Sequence, residues 1–418
     1  MRIEMAYGKA NSILDVPDNN IVDVFDAKKI PILPDARIEI TKNLLRPIGF
    51  NTSLFDIAKN KKSACILLCE ETNPGIIDIV LPPILKTLHA AGMSYKDIRI
   101  ILAKALFPSG SPVDIATNFP KEIMKNYSII VHDPSDHAAF KYVGKATNGA
   151  KIYIVRRCMD VELKISIGLL HPAQMAGLSL GCNLVVGGIT SFRTLNELMN
   201  IDKYFSLDPE KSIQKNLLYK NLLEIANLAG IDFLVNIAVN QKSEIAAIFA
   251  GELKLTAYKS LRCFIKLFST VVHSRVEIVW TSAGGYPFDR SVYHSIRALI
   301  SALPLVKPNG AIIVFAECSD GIGSDSFRAL LRGNGCTALP NSEKQCFAEL
   351  FRCKEFQFVK NNANIVFISD KLRETNVGRV PFPCMNTNEA LEFAANRYGH
   401  AAKMAVIPHG PLTLTFPG

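Results

Sequence analysis

Short runs rich in β-branched residues recur along the 418-residue chain at intervals that leave room for a helix. Helical patterns lie between several of these runs, for example at residues 79–91, where Val80, Ile84 and Leu88 fall on one stripe. Apolar strands that alternate with amphipathic helices predict mostly parallel sheets with helices on both faces. The predicted strands are Ala64–Cys69, Ile98–Ala103, Ser128–His132, Lys151–Val155, Leu163–Leu169, Phe233–Val239, Val276–Thr281, Ala311–Cys318, Asn364–Ser369 and Lys403–Ile407.

A segment of charged and apolar residues separates two sets of predicted strands. Residues Leu253–Ser274 have helical spacing and contain neither glycine nor proline, which predicts a long connecting helix. A prior of roughly 150 residues per domain allows two or three domains in a chain of this length. We therefore expect an α/β fold with two domains, 1–272 and 273–418, joined by this helix. A ligand cleft between the domains is the expected site.

Composition excludes several classes of protein. A chain with 49% hydrophobic and 20% charged residues is neither disordered nor a small disulfide scaffold. The longest apolar runs, such as Ala311–Cys318, are far shorter than the roughly 20 residues that cross a bilayer. The N-terminus has no apolar signal segment, and the ten cysteines form no CxxC pair. These features predict a cytoplasmic protein with reduced thiols and no membrane partner.

The net charge of +9 is spread along the chain and includes no long basic run. An ordinary solubility charge explains this better than a nucleic-acid surface, so we expect no nucleic-acid partner. The phosphate-binding loop, the dinucleotide fingerprint and zinc spacings are all absent from the sequence. The expected partner is a small carboxylate or a nucleotide.

The segment SAGGYPFDRSVYHSIR, which follows a predicted strand, carries the clearest chemistry. Gly284 and Gly285 allow a tight turn and are expected to leave backbone amides free for a ligand. Asp289 is the expected N-cap of the next helix, whose positive end attracts anions. Asp289, Tyr293 and Arg297 are spaced to share one face, and such groups suit a carboxylate or phosphate. A capped surface helix with an Asp–Arg network is the alternative.

Three further segments follow predicted strands. Glu70, Thr72 and Asn73 lie where open parallel sheets bind ligands, although a polar turn with a helix cap would have the same residues. The glycine-containing segment 171–183 allows a ligand to approach the backbone, or simply makes a tight turn. Residues 132–137 combine histidine and aspartate as metal sites do, but a turn followed by a helix cap is favoured.

Taken together, these segments resemble the lactate racemase family that uses a nickel-pincer nucleotide. The resemblance covers nearly the whole chain and includes LLRPIG at 44–49, the loop at 70–74 and AGLSLG at 176–181. The most specific match is GGYPFDRSVY at 284–293, with Arg297 one turn further on. The resemblance implies a two-domain α/β enzyme. Its cofactor takes a hydride from carbon 2 of a 2-hydroxy acid while histidine takes the hydroxyl proton.

The sequence departs from that family at the positions with the most demanding chemistry. Phe107 and Ala173 stand at the positions of the two histidine bases. Asn183 replaces the lysine that carries the cofactor, and Met199 replaces the histidine that binds nickel. The cofactor is therefore unknown, and we expect no metal ligands. The predicted binding residues are Glu70, Thr72, Asn73, Ser179, Gly284, Gly285, Asp289, His294 and Arg297.

Two functions remain open from the sequence. The first is an enzyme of the racemase or epimerase superfamily that acts on a 2-hydroxy acid or related carboxylate with altered cofactor use. In it, Arg297 and the amides of residues 284–286 hold an anion, and His171 or Tyr293 moves a proton. The second is a non-catalytic relative that binds a nucleotide or organic acid, as loss of both histidine bases would leave.

Overall fold

A computed structural model describes residues 1–69, 72–103, 119–133, 136–170, 181–198, 217–240, 242–332, 346–374 and 382–417. The described chain forms two six-stranded sheets with helices packed on them, which confirms the predicted mostly parallel α/β fold. In this part of the chain, the following cysteines are free thiols: Cys65, Cys69, Cys158, Cys263, Cys318, Cys353 and Cys384. Within the described ranges, no helix has both the length and the apolar character to cross a membrane.

The first sheet has the strand order β11-β10-β9-β4-β5-β6. Neighbouring strands are parallel except β10 and β11, which are antiparallel. Because β4 and β9 lie in the middle of the sheet, helices cover both of their faces and their side chains are almost completely buried. The strands are β4 (Ala64–Cys69), β5 (Ile98–Ala103), β6 (Ser128–Val131), β9 (Leu163–Leu170), β10 (Phe233–Val239) and β11 (Ile245–Gly251).

The second sheet has the order β16-β15-β14-β13-β17-β3, and all its pairings are parallel. Trp280 lies fully buried in its central strand. The strands are β3 (Ile21–Val24), β13 (Val276–Ser282), β14 (Val306–Phe315), β15 (Asn364–Ile368), β16 (Cys384–Met385) and β17 (Met404–Ile407). Three pairs of strands lie outside the two sheets: β1 (Arg2–Tyr7) with β2 (Ala10–Asp15), β7 (Phe140–Lys145) with β8 (Lys151–Val155), and β12 (Ser269–Val272) with β18 (Leu414–Pro417).

The helices alternate with the strands and bury one apolar face each. In the first part of the chain they are α1 (Ala36–Leu45), α2 (Leu54–Ala58), α3 (Pro74–Ala90), α4 (Lys121–Asn126), α5 (Arg156–Met159), α6 (Gly181–Gly188), α7 (Phe192–Leu198), α8 (Leu217–Leu228) and α9 (Leu253–Phe268). In the second they are α10 (Val292–Ala302), α11 (Asp325–Leu331), α12 (Cys346–Asn362), α13 (Asp370–Glu374) and α14 (Thr387–Tyr398).

The predicted connecting helix is present but shorter than expected. It ends at Phe268 rather than Ser274, because residues 269–272 become extended and pair with the last strand of the chain. Leu414 and Phe416 of that last strand pack into the same core cluster as Phe264 and Phe268. The end of the chain therefore ties the connecting helix to the second half of the molecule.

The strand predictions differ from the structure at several strands, since β3, β7, β12, β16 and β18 were not predicted, and two differences concern the first sheet. Lys151–Val155 is a strand as expected, but it pairs antiparallel with β7 instead of joining the first sheet. The strand Ile245–Gly251, which closes that sheet, was not predicted from the sequence. Its alanines reduce the β-branched content on which the prediction relied.

The start of the chain associates with the second sheet. β3 pairs with β17, and Met5 and Leu14 of the first hairpin lie in the core beside Trp280. The first 24 residues thus share a sheet and a core with residues beyond 275, although the sequence puts them far apart. The predicted domain boundary near residue 273 stays a prediction.

Candidate functional site

The glycine turn after β13 brings three parts of the chain together. Gly284 and Gly285 have φ values of 95° and 69°, in the left-handed region that favours glycine. A Cβ at Gly285 would lie 3.0 Å from the carbonyl oxygen of Gly8. The backbone N–H of Gly284 donates to Ser282 Oγ at 2.9 Å, and that of Tyr286 donates to Gly8 O at 2.6 Å. The expectation that these two amides are free was therefore wrong.

Asp289 is buried, and it is not the N-cap of α10 as the sequence predicted. The N-cap is Ser291, because the turn continues through Arg290 and the helix begins at Val292, two residues later than a cap at Asp289 would place its start. Asp289 Oδ2 instead accepts the backbone N–H of Gly8 at 2.6 Å and of Glu317 at 3.1 Å. Its Oδ1 has no hydrogen-bond partner in the part of the chain that the structure describes. Asp289 thus joins the first hairpin to the loop after β14, and its binding role stays a prediction.

Helix α10 presents Tyr293, His294 and Arg297 within four residues of one another. The Tyr293 ring meets the ring of Phe327 edge-on at 5.3 Å between centroids. On the same ring, the guanidinium carbon of Arg352 lies 5.8 Å from the centroid. Burial raises the pKa of the Tyr293 phenol, so this side chain is a neutral hydrogen-bond donor at neutral pH.

His294 is a neutral imidazole in a cationic environment. Burial, together with the neighbouring charges of Arg297, Arg352 and Arg290, lowers its pKa from 6.5 to about 4. Its Nδ1 lies 2.7 Å from Ser291 Oγ, which fixes the plane of the ring. A neutral imidazole that is held in place can accept a proton from a ligand.

Helix α12 contributes buried charges that the sequence analysis missed. Arg352 Nη1 donates to Glu355 Oε2 at 2.6 Å, and both side chains are almost fully buried. Burial raises the pKa of Glu355, while the charge of Arg352 and then Arg297 opposes that shift. Ser324 Oγ donates to Glu349, which is also buried. In the sequence these residues look like an ordinary solvated helix face, and no spacing signal distinguishes them.

Of the other predicted positions, Thr72, Asn73 and Asn183 lie within the described part of the chain. Thr72 is buried, and its hydroxyl has no hydrogen-bond partner among the described residues. Asn73 is the N-cap of α3 and accepts the backbone N–H of Gly75 at 2.8 Å, as the capping alternative predicted. Asn183 lies in the first turn of α6, at the start of that helix. The predicted positions outside the described residues are Glu70, Phe107, His171, Ala173, Ser179 and Met199.

Asp136 is a helix cap, which is the part of the favoured interpretation of segment 132–137 that the described residues show. Asp136 accepts the backbone N–H of Ala138 at 3.2 Å and caps a short turn of helix. Across the described ranges, no group of three or more histidine, cysteine, aspartate or glutamate side chains is arranged to hold a metal ion.

Comparison with protein families identifies both halves of the chain. A model of the lactate racemase N-terminal domain matches residues 7–200, and a model of the lactate racemase C-terminal domain matches residues 271–414. The chain belongs to the lactate racemase family. This confirms the resemblance on which the sequence analysis relied, and with it the expectation of a racemase-like enzyme.

Individual relatives of the family match the chain along nearly its whole length. The lactate racemase of Thermoanaerobacterium thermosaccharolyticum is 25% identical, over 98% of this chain and 97% of that protein. The lactate racemase of Lactiplantibacillus plantarum is 24% identical, over 98% of each chain. The structure of the Thermoanaerobacterium lactate racemase apoprotein has a TM-score of 0.84 at 22% identity, and covers 99% of this chain and 100% of that one. That likeness shows the fold.

Proposed function

We propose that this protein is a racemase or epimerase that acts on a 2-hydroxy acid or a related carboxylate, with altered cofactor use. Its curated relatives in the family are lactate racemases. The observation that carries the proposal is the trio on α10, in which a phenol, a neutral imidazole and a guanidinium lie within four residues. This set supplies a hydrogen-bond donor, a proton acceptor and a carboxylate partner.

Each member of the trio has one part in the proposed reaction. Arg297 binds the substrate carboxylate, since a guanidinium pairs with both oxygens of such a group. His294 accepts the proton of the substrate hydroxyl, because its imidazole stays neutral at physiological pH. Tyr293 donates a hydrogen bond to the same hydroxyl oxygen. The hydride that leaves carbon 2 as its C–H bond breaks would go to a hydride-accepting cofactor of the pyridinium class, bound without a covalent link. It would return from that cofactor to the opposite face of carbon 2 as the hydroxyl regains its proton, so the atoms and electrons of the substrate are unchanged overall.

The nickel-pincer nucleotide does not fit the residues of this chain. Covalent attachment needs an amine, and Asn183 at the start of α6 offers a carboxamide. At the position of the nickel-binding histidine the chain has Met199, and nickel binds a thioether less well than an imidazole. We therefore route no step through that group. The proton-moving role predicted for His171 and the binding roles of Glu70 and Ser179 remain part of the proposal, as does a cytoplasmic location.

The test is to incubate the purified protein with single enantiomers of lactate and of larger 2-hydroxy acids, and to measure both enantiomers by chiral chromatography. Appearance of the opposite enantiomer supports the proposal, and Arg297→Met should then lower kcat/KM by roughly 100-fold, as loss of a charged hydrogen-bond partner does. Arg37→Met, on the exposed face of α1, is the matched control and should leave kcat/KM unchanged.

Binding without interconversion would contradict the enzyme proposal. Calorimetry with the same acids separates the two outcomes, because a non-catalytic relative would still bind a carboxylate through Arg297. Binding that is lost in Arg297→Met, together with no product after prolonged incubation, would support the alternative of an organic-acid-binding protein.

A further inference from the structure

We propose that Arg352 and Glu355 are positioning residues for the site on α10: Arg352, held by Glu355, keeps the Tyr293 ring where its hydroxyl meets the substrate. The inference rests on the proposed function, because it names residues that act through the same site. Neither residue belongs to the segment from which the site was predicted. Both lie on α12, which packs against α10.

The pair is buried inside the protein. Arg352 has 1% and Glu355 has 3% of its surface exposed, and the neighbouring Cys353 and Phe356 lie in the hydrophobic core. Removing two charges from water costs free energy, so an apolar pair of similar volume would make the fold at least as stable. Stability alone therefore does not account for an ion pair at this place, and a positional role does.

The contacts of Arg352 fix the Tyr293 ring. Phe327 meets the ring edge-on, at an interplanar angle of 88°, and the guanidinium of Arg352 lies over its face. Gly323 lies close to Tyr293, since a Cβ at Gly323 would be 3.1 Å from the Cβ of Tyr293. Phe327 and Arg352 thus contact the Tyr293 ring from two directions. We expect the ring to become more mobile when the guanidinium of Arg352 is removed.

Glu355 fixes the guanidinium of Arg352. Its Oε2 accepts a hydrogen bond from Arg352 Nη1 at 2.6 Å. Without the carboxylate, Arg352 would lose this buried charged hydrogen bond, and its guanidinium would no longer be fixed over the Tyr293 ring.

The decisive variant replaces both charges, as Arg352→Met with Glu355→Leu. We expect a thermal midpoint close to that of the parent, since the apolar pair fills the same space. We expect kcat/KM to fall by roughly 10- to 100-fold, because a misplacement of about 1 Å at an active site has such an effect. Retained kcat/KM in the folded double variant would overturn the proposal. So would failure of the double variant to fold, because the pair would then be needed for the fold itself.

A second measurement needs no substrate, so it separates this inference from the proposed function. In protein that carries 3-fluorotyrosine, the fluorine NMR signal of Tyr293 is the one that Tyr293→Phe removes from the set of eleven. The double variant and Glu355→Gln should each shift this signal, and Arg37→Met should not. An unmoved signal in folded variants would overturn the positioning role, whether or not the protein racemises any acid.

A double-mutant cycle supplies the last readout. If Arg352 acts through the tyrosine, Arg352→Lys should lower kcat/KM in the parent but change it by less than about twofold in the Tyr293→Phe background. Equal losses in both backgrounds would contradict the proposal. Lysine keeps the charge opposite Glu355 but lacks the flat guanidinium, so this variant isolates the contact with the ring.

Discussion

His294 links the electrostatics of the site to the stability of the fold. Its pKa falls from 6.5 to about 4 on folding, so between these values the unfolded chain binds more protons than the folded one. The stability contributed by the neutral imidazole is complete above pH 6.5 and is lost as the pH falls through 4. With about 1.4 kcal/mol per pKa unit, the free energy of unfolding should drop by about 3 kcal/mol.

The measurement compares urea unfolding of the parent and of His294→Gln at pH 7.5 and at pH 4.5. The parent should lose more stability than the variant as the pH is lowered, because glutamine does not titrate. An equal loss in the two proteins would show that folding does not lower the pKa of the His294 imidazole.

Asp289 is a second residue whose effect can be measured separately. Its carboxylate accepts two backbone N–H groups, from Gly8 and Glu317, inside the protein. Asp289→Ala removes the acceptor and leaves both donors buried, so the free energy of unfolding should fall by about 3 kcal/mol. Asp320→Ala is the control, since the Asp320 side chain is exposed and its carboxylate contacts Arg290 and Ser319 at the surface. A loss no larger than in the control would contradict the bridging role.

At the scale of elements, the junction of α1, β11 and α9 depends on one glycine. Gly251 has φ 149°, and a Cβ there would lie 2.1 Å from the carbonyl oxygen of Ile48. Gly251→Ala must push two backbone segments apart and should lower stability by at least about 3 kcal/mol. Gly92→Ala is the matched control, because Gly92 also has a positive φ but no neighbour within 4 Å. Thermal unfolding of both variants measures the difference. Similar midpoints would show that the backbone at residues 48 and 251 can move apart without loss of stability.

Helix α12 shows why some elements can be found from sequence while their function cannot. Charged residues such as Arg352 and Glu355 are usually exposed, and a single sequence does not reveal which helix face is covered. The helix becomes buried because α10 and α11, with smaller contributions from α7 and β15, pack against it. Its role in the site is therefore a property of the packing between elements.

At the scale of the whole molecule, the last strand connects the two halves of the chain. Phe416 packs with Phe264 and Phe268 in the core of the first sheet, and its strand pairs with residues 269–272. Phe416→Ala should lower the free energy of unfolding by about 3 kcal/mol, since it leaves a cavity in that core. Val271→Ala, on the exposed side of the partner strand, should change it by less than about 0.5 kcal/mol. Equal effects in urea unfolding would contradict this assignment.

The local pattern of the sequence determined most of the sheet strands, because a buried parallel strand must be apolar along its whole length. Ala64–Cys69, Ile98–Ala103 and Phe233–Val239 have the predicted bounds for that reason. The GGYP segment likewise placed Tyr293, His294 and Arg297 on one helix. Only the tertiary structure decided that Asp289 bridges two loops, that the first hairpin packs on the second sheet, and that Arg352 lies over the Tyr293 ring. These contacts join residues tens to hundreds of positions apart, and local spacing carries no information about such distances.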